Sequence, residues 1–142
     1  MRYIPTFLLV LLVSLSGCGN KSELKRVEVK GTVLLNGEPL KDGLIRMIPV
    51  EGSKNPRSVA KVENGQFYID NLGGVAAGTY QVEVLGFRTE TTVEDGETVE
   101  NRIQFLPPEY NKKTKLTLTI PEDSRLVEEK FELQADPQKS YF

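Results

Sequence analysis

Beyond Val27 one pattern governs the chain: hydrophobic residues recur at every second position, in short runs broken by Asn, Gly and Pro. Successive side chains of an extended strand point to opposite faces, so each such run buries one face and wets the other. Val27, Val29, Val33 and Leu35 share one face of a first strand, with Glu28, Lys30 and Thr32 on the other. Asn36-Gly37-Glu38-Pro39 then turns the chain, since Asn and Gly accept the positive φ that tight hairpin turns require. A second strand is predicted over residues 44–49, with Ile45 and Met47 in the core, and residues 51–57 read as a loop. Segments 58–62 and 66–70 flank Glu63-Asn64-Gly65, the strongest hairpin signal in the chain, with Phe67 and Ile69 facing inward. Further strands are expected at 79–87, 103–106, 116–120 and 127–133, the last with Phe131 and Leu133 inward. Helical periodicity is missing after Cys18. The expected fold is therefore all-β, an antiparallel Greek-key β-sandwich of about seven strands.

The first seventeen residues differ in kind. A charged start at Arg2, an apolar run from Phe7 to Val13 and the small-residue sequence Leu15-Ser16-Gly17-Cys18 have the layout of a secretory signal peptide. The apolar stretch falls short of the roughly 20 residues needed to span a bilayer, and polar Asn20-Lys21-Ser22-Glu23 follows at once. Leu15-Ser16-Gly17-Cys18 resembles the bacterial lipobox. That resemblance implies cleavage by signal peptidase II before Cys18, recognition through Leu15, Ser16 and Gly17, and a covalent diacylglycerol on the Cys18 thiol. Each buried CH₂ contributes about 0.8 kcal/mol, so two or three acyl chains hold a protein almost permanently to a membrane. Gly19 stands where an Asp resembles an inner-membrane retention signal. The expected location is therefore an exported, membrane-anchored protein on the periplasmic face, with the outer membrane favoured over the inner. The organisation read from the sequence is a signal peptide at 1–17, a polar tether at 18–26, one sandwich domain at 27–135 and a tail at 136–142.

Composition removes several function classes. There is no His, no Trp and a single Cys among 142 residues. Ser-His-Asp and Cys-His catalysis, His-based zinc sites and internal disulfides are thereby excluded. With 18 basic against 20 acidic residues and a net charge of −2, the chain lacks the basic footprint of a nucleic-acid binder. No cofactor is expected beyond the lipid on Cys18.

Particular residues carry a family likeness. Val29-Lys30-Gly31-Thr32-Val33 followed by Asn36-Gly37-Glu38-Pro39-Leu40-Lys41-Asp42-Gly43 is similar to the opening of carboxypeptidase regulatory-like and transthyretin-like domains. Asn64-Gly65-Gln66-Phe67 and Ala77-Gly78-Thr79-Tyr80-Gln81-Val82-Glu83-Val84 resemble later strands of the same family. With the lipobox and the Leu106-Pro107-Pro108-Glu109-Tyr110-Asn111 segment, the chain resembles the small lipoproteins abundant in planctomycetes. The resemblance implies a prealbumin-like sandwich used as a non-catalytic module. The hydroxyisourate-hydrolysing branch of that group uses histidines, which this chain lacks.

Candidate sites in the domain are few. Glu94, Asp95, Glu97 and Glu100 around Gly96 read as a solvated hairpin tip, without the ligand spacing of a calcium loop. Tyr68, Tyr110 and Phe87 are candidates to stack on a sugar ring. Tyr110 also suits a role as anchor for the crossover after Pro107-Pro108, and Lys112-Lys113-Thr114-Lys115 reads as protection for an edge strand. The leading expectation is an exported, lipid-anchored, non-catalytic β-sandwich that serves as a structural or binding module of the cell envelope, with an envelope protein or glycan as its partner. Its rivals are a carbohydrate-binding accessory module and, more remotely, a carboxylate- or metal-dependent hydrolase.

Overall fold

The structure, a computed structural model, describes residues 24–70, 72–139 and 141. The expectations placed on Leu15, Ser16, Gly17 and Cys18 lie outside the described residues.

The described chain is all-β. Its strands are β1 (Arg26–Leu35), β2 (Glu38–Pro39), β3 (Asp42–Pro49), β4 (Ser58–Glu63), β5 (Gln66–Ile69), β6 (Val75–Ala76), β7 (Gly78–Glu94), β8 (Glu97–Gln104), β9 (Thr117–Ile120) and β10 (Leu126–Leu133). A single 3₁₀ turn occupies Pro108–Tyr110. The two-residue strands β2 and β6 are bridges onto β1, and the others apart from β8 make up the sandwich expected from the alternation.

The strands run as one path, β10-β1-β5-β4-β3-β7-β8, with β9 beside the start of β7. Between β5 and β4 only Glu63 and Gln66 pair. At that point the sheet folds over on itself. Layer one is β10-β1-β5 and layer two is β4-β3-β7-β9. Val27, Val29, Val33, Phe67, Phe131 and Leu133 from the first meet Ile45, Met47, Val62, Tyr80, Val82 and Val84 from the second in one buried cluster. The alternation seen in the sequence is thus the alternation of these inward faces.

Three connections refine the sequence expectation. First, Asn64 and Gly65 take φ of 50° and 78° and make the tight turn, but the strands they join part at once into different layers, so the turn is a corner more than a hairpin. Second, β1 and β10 pair in parallel, Glu28 opposite Leu126 through Leu35 opposite Leu133. The direction is forced by the crossover. Strand β9 ends at Ile120 beside Gly78, at the end of the molecule where β1 begins beside Val75 and Ala76, so a chain entering layer one there runs alongside β1. Third, β7 continues seven residues past the predicted 79–87, and β8 returns antiparallel from Glu97. This ribbon stands clear of both layers. Its residues 89–98 are all exposed, so no buried face printed a hydrophobic period there.

Candidate functional site

A broad concavity lies on the outer face of layer one, where it meets the end of β4. Even-numbered residues of β1 point away from the core, and the register places them in rows with their neighbours. Tyr68, Lys30 and Glu128 form one row across β5, β1 and β10, and Gln66, Thr32 and Lys130 form the next. Lys61 and Glu63 of β4, themselves hydrogen-bonded to each other, close one side. The resulting open trough encloses about 890 Å³.

Tyr68 is the aromatic feature of this face. Its side chain is 56% exposed. Desolvation against the sheet, and then the negative charge of Glu28, push its phenol above the ordinary value, so at neutral pH the hydroxyl is a neutral donor and acceptor. Beside it, Lys30 Nζ lies 2.7 Å from Glu128 Oε1. The hydrogen bond and charge of Glu128 raise the Lys30 ammonium above its usual range. The trough therefore offers a ring face bordered by a cation, carboxylates, a hydroxyl and an amide. Such a set can stack against a flat apolar surface and hydrogen-bond to polar groups around its rim.

The other aromatic candidates have different roles. Phe87 is covered by the Arg102 guanidinium, 3.7 Å above its ring, and Arg102 also forms a two-pronged bond to Asp42 at 2.9 and 3.0 Å. The Tyr110 hydroxyl donates to Gln134 O at 3.2 Å and accepts from Gln134 N at 3.0 Å. Tyr110 thus anchors the crossover, as the sequence suggested. Glu94, Asp95, Glu97 and Glu100 stand at the ribbon end, where Asp95 and Gly96 form the turn with φ of 51° and 84°. Among the described residues, no three His, Cys, Asp or Glu side chains gather to hold a metal ion. Lys115 is exposed just before β9, an edge strand paired only with β7.

Sequence reading found Tyr68 but missed the row around it. The polar face of β1 was visible in Glu28, Lys30 and Thr32. That Glu128 and Lys130 flank it depends on the parallel register of β10, for which the sequence carries no local signal. Also missed was Asn36, whose side-chain amide donates to Ala135 O at 2.7 Å and accepts from Ala135 N at 3.1 Å. With Arg88 donating to Pro137 O, it fastens the segment after β10 to the body.

No family model matches the chain, and no curated protein matches it. Among solved structures it is similar to a candidate carbohydrate-binding protein of Pseudomonas aeruginosa, at 13% identity and a TM-score of 0.41 over 79% of this chain and 90% of that one. It is also similar to a 9R-lipoxygenase of Cyanothece, at 16% identity and a TM-score of 0.35 over 81% of this chain and 18% of that one. Likenesses this distant carry no argument about function.

Proposed function

We propose that the protein is an exported, lipid-anchored, non-catalytic module of the cell envelope, of the transthyretin-like lipoprotein kind it resembles, and that it binds glycan in the trough around Tyr68. The anchoring half of this reading rests on Leu15-Ser16-Gly17-Cys18 behind an apolar segment. One observation carries the binding half: Tyr68 is 56% exposed in a trough where Lys30, Thr32, Gln66, Glu128 and Lys130 surround it. A pyranose has an apolar face of C–H bonds and a rim of hydroxyls. The first stacks on the ring, and the second meets the groups of the two rows, Lys30, Glu128, Thr32 and Gln66 among them.

The expected affinity is low. A few exposed hydrogen bonds at about 0.5–1.5 kcal/mol each, with one stacked ring, sum to roughly 4–5 kcal/mol and a Kd near a millimolar. Multivalent display on a membrane raises the effective strength. The test is binding to an array of cell-wall and algal polysaccharides, followed by titration of the best ligand against wild type, Tyr68→Ala and Tyr68→Phe. Loss of at least tenfold in affinity with Ala, and retention within about threefold with Phe, is the expected result. Absence of binding across the array, or equal binding by Tyr68→Ala, overturns the glycan reading.

A further inference from the structure

The ribbon of β7 and β8 is unlike the rest of the fold, because beyond its root its residues 89–98 are all exposed. Strand β7 loses its partners β3 and β9 by Gly86, yet it continues to Glu94 with β8 as its one strand partner. At about 3.3 Å per residue, the eight residues 87–94 carry it about 25 Å further. Beyond its root, neither edge of the ribbon pairs with another strand among the described residues, which leaves backbone N–H and C=O groups open there, and Val93 is 73% exposed. A two-stranded ribbon in water is marginal by itself and gains stability from further strands.

The charges on the ribbon select what can supply one. Its root is neutralised: Arg88 pairs with Glu90 at 2.6 Å, and Arg102 pairs with Asp42 at 2.9 Å. Past the root, between Thr91 and Asn101, the charged residues are Glu94, Asp95, Glu97 and Glu100, all acidic. Glu94 and Glu97 are direct cross-strand partners, an arrangement of like charges that weakens the hairpin end. Acidic side chains along an open edge repel a second copy of the same edge, which guards against self-association. The same side chains attract a basic strand.

We propose that the free edge of β8 receives a basic, extended polypeptide segment, which adds as a further antiparallel or parallel strand and is held by backbone hydrogen bonds and by Glu97 and Glu100. This surface is separate from the Tyr68 trough, and the inference does not depend on the glycan reading. The position of the arm suits the role. Strand β7 begins at Gly78, beside the end of the molecule where β1 starts, and runs away from it, so the arm projects from the pole opposite the start of β1.

The test uses the full chain and three synthetic ten-residue peptides. One repeats Lys-Thr-Val, so that its Lys side chains fall on both faces of an added strand as Glu97 and Glu100 do on β8, the second has Glu in place of Lys, and the third is the Lys peptide N-methylated at alternate backbone nitrogens. Binding is followed by backbone amide shifts and by hydrogen exchange. The expected result is that only the first peptide binds, that it slows exchange within residues 97–104, and that Glu97→Lys with Glu100→Lys weakens it at least tenfold. No binding of the Lys peptide overturns the proposal. So does equal binding of the N-methylated peptide, which leaves charge attraction without strand addition, or binding that leaves residues 97–104 unaffected.

Discussion

Gly31 of β1 leaves no room for a side chain beside β10 and Phe67. A Cβ there would lie 2.0 Å from Glu129 O and 2.8 Å from the Phe67 ring. The first of these is backbone, which moves only if β1 and β10 part. Gly31→Ala is therefore expected to cost about 3 kcal/mol, at the upper end of what overpacking does, as measured by urea denaturation. A loss below about 1 kcal/mol would show that the strands have room. Tyr80 makes a second test at this scale. Its side chain is fully buried and its hydroxyl donates to Ala76 O at 2.8 Å, so Tyr80→Phe removes a bond and should cost about 1 kcal/mol. Burial raises the Tyr80 phenol above its ordinary value. The unfolded chain then loses this proton at a lower pH than the folded one. The phenol's contribution is complete below the unfolded value of about 10 and is lost as pH rises through the folded value. A denaturation series above pH 10 should fall more steeply for wild type than for Tyr80→Phe, and identical slopes would contradict the assignment. The sequence marked both residues, one by the Val29-Lys30-Gly31-Thr32-Val33 run and one by strand alternation, but not the partners that give them their cost.

At the scale of elements, two clamps hold what the sheet pairing leaves loose. Arg102 lies between the Asp42 carboxylate and the Phe87 ring, tying the root of the ribbon to the start of β3. Exposed ion pairs and cation–π contacts are each worth up to about 1 kcal/mol. Arg102→Ala should therefore leave global stability within about 1–2 kcal/mol while amide exchange in residues 97–104 quickens at least fivefold. Unchanged exchange there would mean that the ribbon root is held by pairing alone. Asn36 is the other clamp. It sits at φ 52°, a conformation that Gly adopts freely, so Asn36→Gly removes the two bonds to Ala135 with little backbone penalty. About 1–2 kcal/mol should be lost, with faster exchange at the end of β10. Strands with a buried face were legible from alternation: β1, β3, β4, β5, the first half of β7, β9 and β10 all fall close to their predicted places. The ribbon was not, because Thr-Glu-Thr-Thr-Val-Glu has no buried face. Its run of β-branched residues around Asp95-Gly96 was the available signal.

For the whole molecule, the order of strands matters more than their number. The parallel pairing of β1 with β10 brings Glu128 and Lys130 to the face of Lys30 and Tyr68, and so builds the trough. Period-two patterning tells which face of a strand is wet, not which strand lies beside it, so the aromatic was legible and its surroundings were not. The fold also has two distinct poles: β1 begins at one, and the ribbon leaves from the other. If Cys18 is joined to a membrane as proposed, the eight residues 18–25 reach at most about 30 Å in any conformation, at about 3.3–3.6 Å each, and the first pole lies within that distance of the lipid. The arm would then point away from the lipid. That arrangement depends on the anchor, and the most direct test is the intact mass and membrane partition of wild type and Cys18→Ser. The account predicts a wild-type chain that begins at Cys18, carries acyl mass on that residue and sediments with membranes, and a variant that does not. A soluble wild-type chain with an unmodified Cys18 would contradict it.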